Sequence, residues 1–316
     1  MSEHEVLVIG GGAAGLSAAL VLSRARRKVV VVDSGEPRNA PAMHLHGFLS
    51  RDGMPPAELL AVGRAEVEGY GGRVLPGLVT GLRQTADAFE AHLLDGATIT
   101  ARCVLVATGM RDVLPDIPGV AARWGRDVLH CPYCHGYEVR DLPLAVLGGT
   151  WEAVQHAQLV RQWSDDVVLF PHADRLAADA REQLVARAIG IVDGPVSRLV
   201  VHNDRLTGIA MDDGRVIHRA AAFVRPEFVP HAGLLSELGC DVDSSGWVTA
   251  DAAGRTSVPG VRVVGNAVDP RAQVITAAGA GSAVAIALNA ALVEEEVRRA
   301  VRDFRSGLPL TKTPTH

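Results

Sequence analysis

The sequence predicts an α/β protein of two doubly wound, three-layer domains. Three observations predict it: two βαβ patterns with glycines at the strand-to-helix turn, short strands between them, and a long Ala-rich helix near the end. The first pattern runs from the apolar run Val6–Ile9 through Ala13–Arg24, which has helical amphipathic spacing, to the β-branched run Lys28–Val32. A His- and Pro-containing loop (35–56) and a helix near Pro56–Glu68 follow. Strands at 73–79, 89–93 and 98–107 then read as an inserted β-meander. The second pattern has a strand at Leu144–Leu147, a turn at Gly148-Gly149, a helix at 152–163 and a strand at Val167–Phe170. Stretches near 111–119 and 225–247 are punctuated by Pro and Gly and suit crossings between domains. The run Val261–Val264 precedes a helix from Thr276 to Phe304, and the tail Ser306–His316 is expected to fray.

With 316 residues, 48% of them hydrophobic, the chain can bury two cores of ordinary size. A net charge of −5 provides no cationic footprint for nucleic acid or an anionic membrane surface. Met1-Ser2-Glu3-His4-Glu5 lacks a basic leader, and no apolar run is expected to reach the ~20 residues that span a bilayer, so a cytoplasmic location is expected. Of the four cysteines, Cys103 and Cys240 stand alone in apolar surroundings and read as packing. Cys131 and Cys134 form a CxxC.

In the first glycine turn, Gly10, Gly12 and Gly15 occupy the three positions of GxGxxG. Gly10 permits the tight turn, Gly12 lets backbone approach a pyrophosphate, and Gly15 lets helix pack on strand. The helix that follows, with Ala14 in its first turn, offers N–H groups and partial positive charge to phosphates. Asp33 ends the second strand, where an acid binds ribose hydroxyls. At the other end of the chain, Gly265-Asn266 closes a strand. Gln273 and Val274 open a helix whose positive end could face a flavin pyrimidine and stabilise its reduced anion. Arg38, Asn39, Val79, Thr108 and Gly109 complete the candidate cofactor set. His46, in the loop Ala42–Phe48, is a candidate for cofactor or substrate contact, and His44-x-His46 alone is a weak metal signal.

Cys131-Pro132-Tyr133-Cys134 sits between the two patterns, flanked by His130 and by His135-Gly136-Tyr137-Glu138. Two intervening residues suit a readily exchanged disulfide with one thiol of lowered pKa. Zinc would need a second ligand pair, and c-type haem a distal ligand and an export signal; neither is visible. His135 can take a proton from an incoming thiol, and His130 is either a weaker partner or a structural histidine.

Through GGGAAG, ATG, the CxxC, TSVPGV (Thr256–Val261), GNAVD and AQVITAAGAG, nearly the whole chain resembles the low-molecular-weight thioredoxin reductases, a flavoprotein family. The resemblance implies an FAD domain (1–116 and 245–316) split around an inserted NAD(P)H-type domain (117–244) that carries the CxxC, and a homodimer. It also implies that Cys134 faces the flavin while Cys131 exchanges with substrate.

Departures from the family pattern set the expected direction of electron flow. The family has Gly-Asp where Gly265-Asn266 stands; Asn can still bond a ribityl hydroxyl. His135 stands where reductases have Asp. In the second turn Thr150 replaces a glycine, Trp151 adds bulk, and Glu152 places negative charge where phosphate would bind. The strand Val167–Phe170 is followed by Pro171-His172-Ala173-Asp174 instead of the family's His-Arg-Arg cluster. CPYCHGYE and the absent clamp together resemble the dithiol-oxidase branch, which closes disulfides in natural products such as gliotoxin and holomycin.

The expectation is thus an FAD-dependent oxidase of a small-molecule dithiol. Thiolate attack on Cys131 gives a mixed disulfide, a second thiol resolves it, Cys134 reduces FAD, and O2 reoxidises the flavin to give H2O2. The alternatives are an NAD(P)H- or ferredoxin-linked disulfide reductase, its nucleotide bound by another route, and a non-enzymatic redox sensor.

Overall fold

A computed structural model describes residues 3–306 of the chain. The chain forms two compact units: Met1–Glu36, Leu60–Met110 and Pro230–His316 make the first, and Pro37–Leu59 with Arg111–Val229 the second.

In the first unit, β1 (His4–Ile9) lies between two parallel neighbours, β2 (Val29–Asp33) and β6 (Thr98–Val106). β3 (Arg73–Pro76) pairs parallel with β2 and extends the sheet; it is not part of a meander. The meander is β4 (Val79–Gln84), β5 (Phe89–Leu93) and the first half of β6, all antiparallel. The second half of β6 pairs parallel with β17 (Val261–Val263). β6 is nine residues long, so one strand edge serves both partners.

α1 (Ala13–Arg24) and α8 (Val274–Arg305) cover one face of this sheet, and α2 (Pro56–Gly69) also contributes Leu60 and Val67 to that core. α8 carries no charge from Val274 to Val293, and is long and apolar enough, by length and composition, to cross a membrane. This corrects the expectation that no run reaches that length. Here the helix buries the stripe Ala277, Gly281, Val284, Ala285, Leu288 and Leu292 in the core shared with α1. A Cβ on Gly281 would stand 2.1 Å from the Ala14 carbonyl oxygen, so glycine is needed where the helices cross. Lower down, Glu296 accepts from Arg27 and Arg102 and ties α8 to β6 and to the turn before β2.

The second unit is a five-stranded parallel sheet in the order β11-β10-β9-β15-β8. Its strands are β8 (Val128–Leu129), β9 (Leu144–Leu147), β10 (Val167–Phe170), β11 (Gly190–Ile191) and β15 (Ala221–Val224). β9, β10 and β15 are buried throughout, as a parallel sheet covered on both faces requires. α5 (Trp151–Val160) and α6 (Ala178–Ala186) cover one face. On the other lies the antiparallel sheet of β12 (Val196–His202), β13 (Arg205–Met211) and β14 (Val216–His218), with α3 (Val120–Arg123). These three strands follow one another through short turns, a signal the βαβ reading passed over.

The crossings are β7 (Met110–Val113) and β16 (Glu227–Pro230), which pair as a two-stranded ribbon. The unit borders therefore fall at 110/111 and 229/230, where the sequence suggested 116/117 and 244/245. Past the ribbon, Ile117 packs into the second unit's core, whereas Leu235, in α7 (Gly233–Glu237), and Cys240 return to the first. The loop 37–59 also groups with the second unit, not with the strand it leaves. The tail expected to fray lies, from residue 307, outside the described residues.

Candidate active site

The first glycine turn leaves a helix end open. Gly10 has φ +105°, and a Cβ on it would meet the Ala107 carbonyl oxygen at 2.4 Å. A Cβ on Gly15 would lie 1.9 Å from the Gly10 oxygen, whereas one on Gly12 would meet nothing within 4 Å. Gly10 and Gly15 are thus glycines because strand and helix touch; Gly12 faces free space. Gly12 is the N-cap of α1, no side chain caps the helix, and no acid stands in its first turn. Its leading N–H groups are free for an anionic ligand. Ala14 is buried under Gly265 and Gly281, so it can serve a ligand only through its backbone.

Asp33 ends β2 as expected, but its oxygens are shared: Oδ1 accepts from the Gly11 N–H at 3.1 Å and Oδ2 from Arg64 at 2.9 Å. Asn266 donates its amide to the carbonyls of Asp269 (2.8 Å) and Ala272 (3.0 Å). What it can offer a ribityl hydroxyl is therefore its acceptor oxygen. Gln273 is the N-cap of α8, again without a side-chain cap, and Val274 begins the helix. Thr108 bonds the His231 carbonyl at 3.2 Å, and Gly109 turns with φ +69°. Val79 is a core residue at the start of β4.

Three candidates for cofactor contact belong to the second unit. Arg38 forks onto Asp112, at 2.8 and 2.7 Å, and lies over the Phe228 ring. Asn39 closes a turn through its carbonyl to Ala42. His46 stands between two carboxylates, with Nδ1 3.3 Å from Asp52 and Nε2 3.4 Å from Glu138. Asp112, Asp52 and Glu138 were not among the sequence candidates. Glu138 alone carried a local signal, as the last residue of CPYCHGYE.

The cysteine pair occupies α4 (Pro132–His135), a single turn. Cys131 is its N-cap, with Sγ 3.2 Å from the Cys134 N–H, and Pro132 fills the first helical position, where a missing N–H costs nothing. The two residues form a disulfide with Cα atoms 5.2 Å apart. After reduction, the same N–H favours the Cys131 thiolate. Gly136 is required by packing, because a Cβ there would press on the Pro132 oxygen and the Trp163 ring. His135 is held below the usual histidine range, first by burial; Glu138 opposes that shift and His46 reinforces it. A neutral imidazole beside Cys134 is therefore available as a base near pH 7.

His130 resolves toward structure: Nδ1 is 3.1 Å from the Val224 carbonyl, and its ring packs edge-on to Phe228 and beside His156. His156, which the sequence reading did not single out, is buried with neither ring nitrogen bonded, and burial pushes it down to about 4.

The second glycine turn is filled from within. Thr150 caps α5 by accepting from the Ala153 N–H at 3.3 Å. The Glu152 carboxylate is held below its usual range by its own backbone N–H and by the Thr150 hydroxyl. Asp174 accepts from the Gly149 N–H at 2.9 Å, and His172 from the Val196 N–H at 2.9 Å. The groups that would meet a pyrophosphate are occupied by the chain's own oxygens, two of them on carboxylates.

The sequence pattern of the Pyridine nucleotide-disulphide oxidoreductase family matches residues 4–282. The chain is 30% identical over 307 residues to thioredoxin reductase sirT of Leptosphaeria maculans, an alignment covering 91% of this chain and 94% of that one. The crystal structure of HlmI superposes with a TM-score of 0.93 at 56% identity, over 96% of this chain and 97% of that one. A putative thioredoxin reductase TrxB from Bacillus anthracis superposes with a TM-score of 0.89 at 32% identity, over 93% and 99%. With this agreement along almost the whole chain, and a disulfide between Cys131 and Cys134 in the second unit, the protein belongs to the pyridine nucleotide-disulphide oxidoreductase family and is a thioredoxin reductase-like oxidoreductase.

Proposed function

We propose that the protein is an FAD-dependent dithiol oxidase that closes an intramolecular disulfide in a small natural-product dithiol. One observation carries the reading: the helix end after the first glycine turn is open and uncapped, whereas the one after the second is filled by Thr150 and Glu152. A reductase needs both sites to draw electrons from NAD(P)H; an oxidase needs only the first.

The first unit fits FAD. Gly12 leaves room for a pyrophosphate at the α1 N-terminus, Asp33 is placed for ribose, and the uncapped α8 N-terminus is free for the flavin ring. Bound FAD would take two electrons from the enzyme dithiol and hand them to O2, giving H2O2. The chain's own residues do the rest. A substrate thiol gives its proton to neutral His135 and attacks Cys131 Sγ; the Cys131–Cys134 bond breaks and Cys134 leaves as a thiolate. The second substrate thiol attacks the substrate sulfur of the mixed disulfide, and its proton passes to the departing Cys131 sulfur. The product disulfide forms, Cys131 is displaced, and the cysteine pair is left reduced.

The second reading, a reductase linked to NAD(P)H, has exposed Arg175, directly after Asp174, on its side as a cation for a nucleotide phosphate. Anaerobic mixing of the oxidised holoprotein decides between them. Dithiothreitol is expected to bleach the flavin rapidly and NADPH not to, with air restoring the colour as peroxide appears. Rapid bleaching by NADPH would overturn the oxidase.

A further inference from the structure

We infer that a groove alongside the loop 265–272 is the path by which O2 reaches the flavin. The inference rests on the oxidase reading and deepens it. Reduced flavin must give two electrons and two protons to O2, which leaves as H2O2, so turnover under air needs a way in for a small apolar gas. Such a molecule gains little from charged groups; it collects in spaces walled by hydrocarbon, where water finds few partners.

The first unit contains such a space. A groove of about 130 Å³ lies between α8, the turn 251–254 and the loop 265–272. Thr276, Ala280 and Val284 recur every four residues and so present one face of α8 to it. Val263, Val264 and Val284 in its lining are buried. Two carboxylates stand at its edge, both exposed, and one oxygen of each is engaged in closing its own turn. Asp251 Oδ1 accepts from the Ala253 and Arg255 N–H groups, each at 2.9 Å, and Asp269 Oδ1 from that of Arg271 at 2.9 Å. Apart from Thr276, the other side chains of the lining are apolar.

The groove ends at the loop that carries the candidate flavin contacts. Gly265 and Ala272 line it, and they directly precede Asn266 and Gln273 in the chain. The Asn266 amide closes this loop onto the carbonyls of Asp269 and Ala272, at 2.8 and 3.0 Å, so groove and flavin contacts share one ring of backbone. A Cβ on Gly265 would stand 2.8 Å from the Ala14 Cβ, in the first turn of α1, the candidate pyrophosphate site. One glycine backbone therefore separates the groove from that turn. On its other side the groove adjoins a wider depression of about 420 Å³ lined by Trp247, Val248 and Pro270; Ala250 and Val268 line both spaces.

The test separates oxygen access from flavin chemistry. Ala280→Leu fills the groove from α8, and Ala250→Leu narrows its join with the outer depression. In stopped flow, reoxidation of the dithiothreitol-reduced holoprotein by O2 is expected to slow roughly 5-fold in each variant. Anaerobic bleaching by dithiothreitol is expected to keep its wild-type rate, as is reoxidation by ferricyanide, an anion too large and too polar for the groove. Xenon, an apolar probe, reads the space without turnover. In crystals of the holoprotein under xenon pressure it is expected beside Val263 and Val284, and absent from Ala280→Leu. Retained flavin colour reports that the variants fold. A wild-type O2 rate in either folded variant, equal slowing with ferricyanide, or no xenon in the wild-type groove would overturn the path; a wild-type reduced flavin that air does not reoxidise would instead overturn the oxidase reading.

Discussion

The two glycine turns start alike and part at their third residue. Gly10 and Gly148 both follow a buried parallel strand, and both have positive φ, +105° and +116°. In both, an aspartate accepts from the next glycine's N–H, Asp33 from Gly11 and Asp174 from Gly149. Then Gly12 stands opposite Thr150, Ala14 opposite Glu152, Gly15 opposite Ala153, and Ala18, deeper in the helix, opposite His156. The first turn leaves its helix end unpaired; the second satisfies it with a hydroxyl and a carboxylate. The same backbone thus leaves a helix end open or seals it as a structural joint, according to two side chains. Stability and binding compete for the same N–H groups.

The largest effects are expected where the first turn is made to resemble the second. Gly15→Ala drives a Cβ into the Gly10 carbonyl and should cost roughly 3 kcal/mol, read as a lowered Tm. Gly12→Thr meets no clash and installs the cap of Thr150, so it should leave the fold intact while weakening FAD binding by about 100-fold. If Gly12→Thr retains its flavin on dialysis, open space at Gly12 is not what admits the cofactor.

Next in size is the contrast between Ala18 and His156. His156 is held down to about 4 in the folded protein against 6.5 in the unfolded chain, chiefly by burial. The unfolded state therefore binds the proton first as pH falls below 6.5, and stability drops until the folded value is reached. At pH 5 the loss is about 2 kcal/mol. The His156→Leu variant should lose less Tm than wild type between pH 7.5 and pH 5; equal losses would remove His156 as the source. The smallest effect falls on the second cap. Thr150→Ala should cost about 1 kcal/mol by chemical denaturation, whereas Gly12→Ala, which removes no cap, should cost less.

Much of this was legible because it is local. A glycine at the third position, an acid at a strand end, two cysteines two residues apart and an uncharged Ala-rich stretch each act over a few neighbours. The helix Ala13–Arg24 and the strands Leu144–Leu147 and Val167–Phe170 accordingly lie where their periodicity places them. Less legible were features made by distant partners. The three strands between Val196 and His218 pair with one another but alternate only partly in burial. The partner of Arg38, Asp112, stands 74 positions along the chain.

By itself, the sequence determined that there are two glycine turns, that the second is altered, and that a cysteine pair with a following histidine lies between them, because these depend on residue type and spacing. Only the tertiary structure decided where the units divide, that Thr150, Glu152 and Asp174 occupy the second turn, and that His46 reaches Glu138. Hydrogen bonds and ion pairs join residues far apart in the chain, and which donor meets which acceptor is fixed only when the backbone has folded around them.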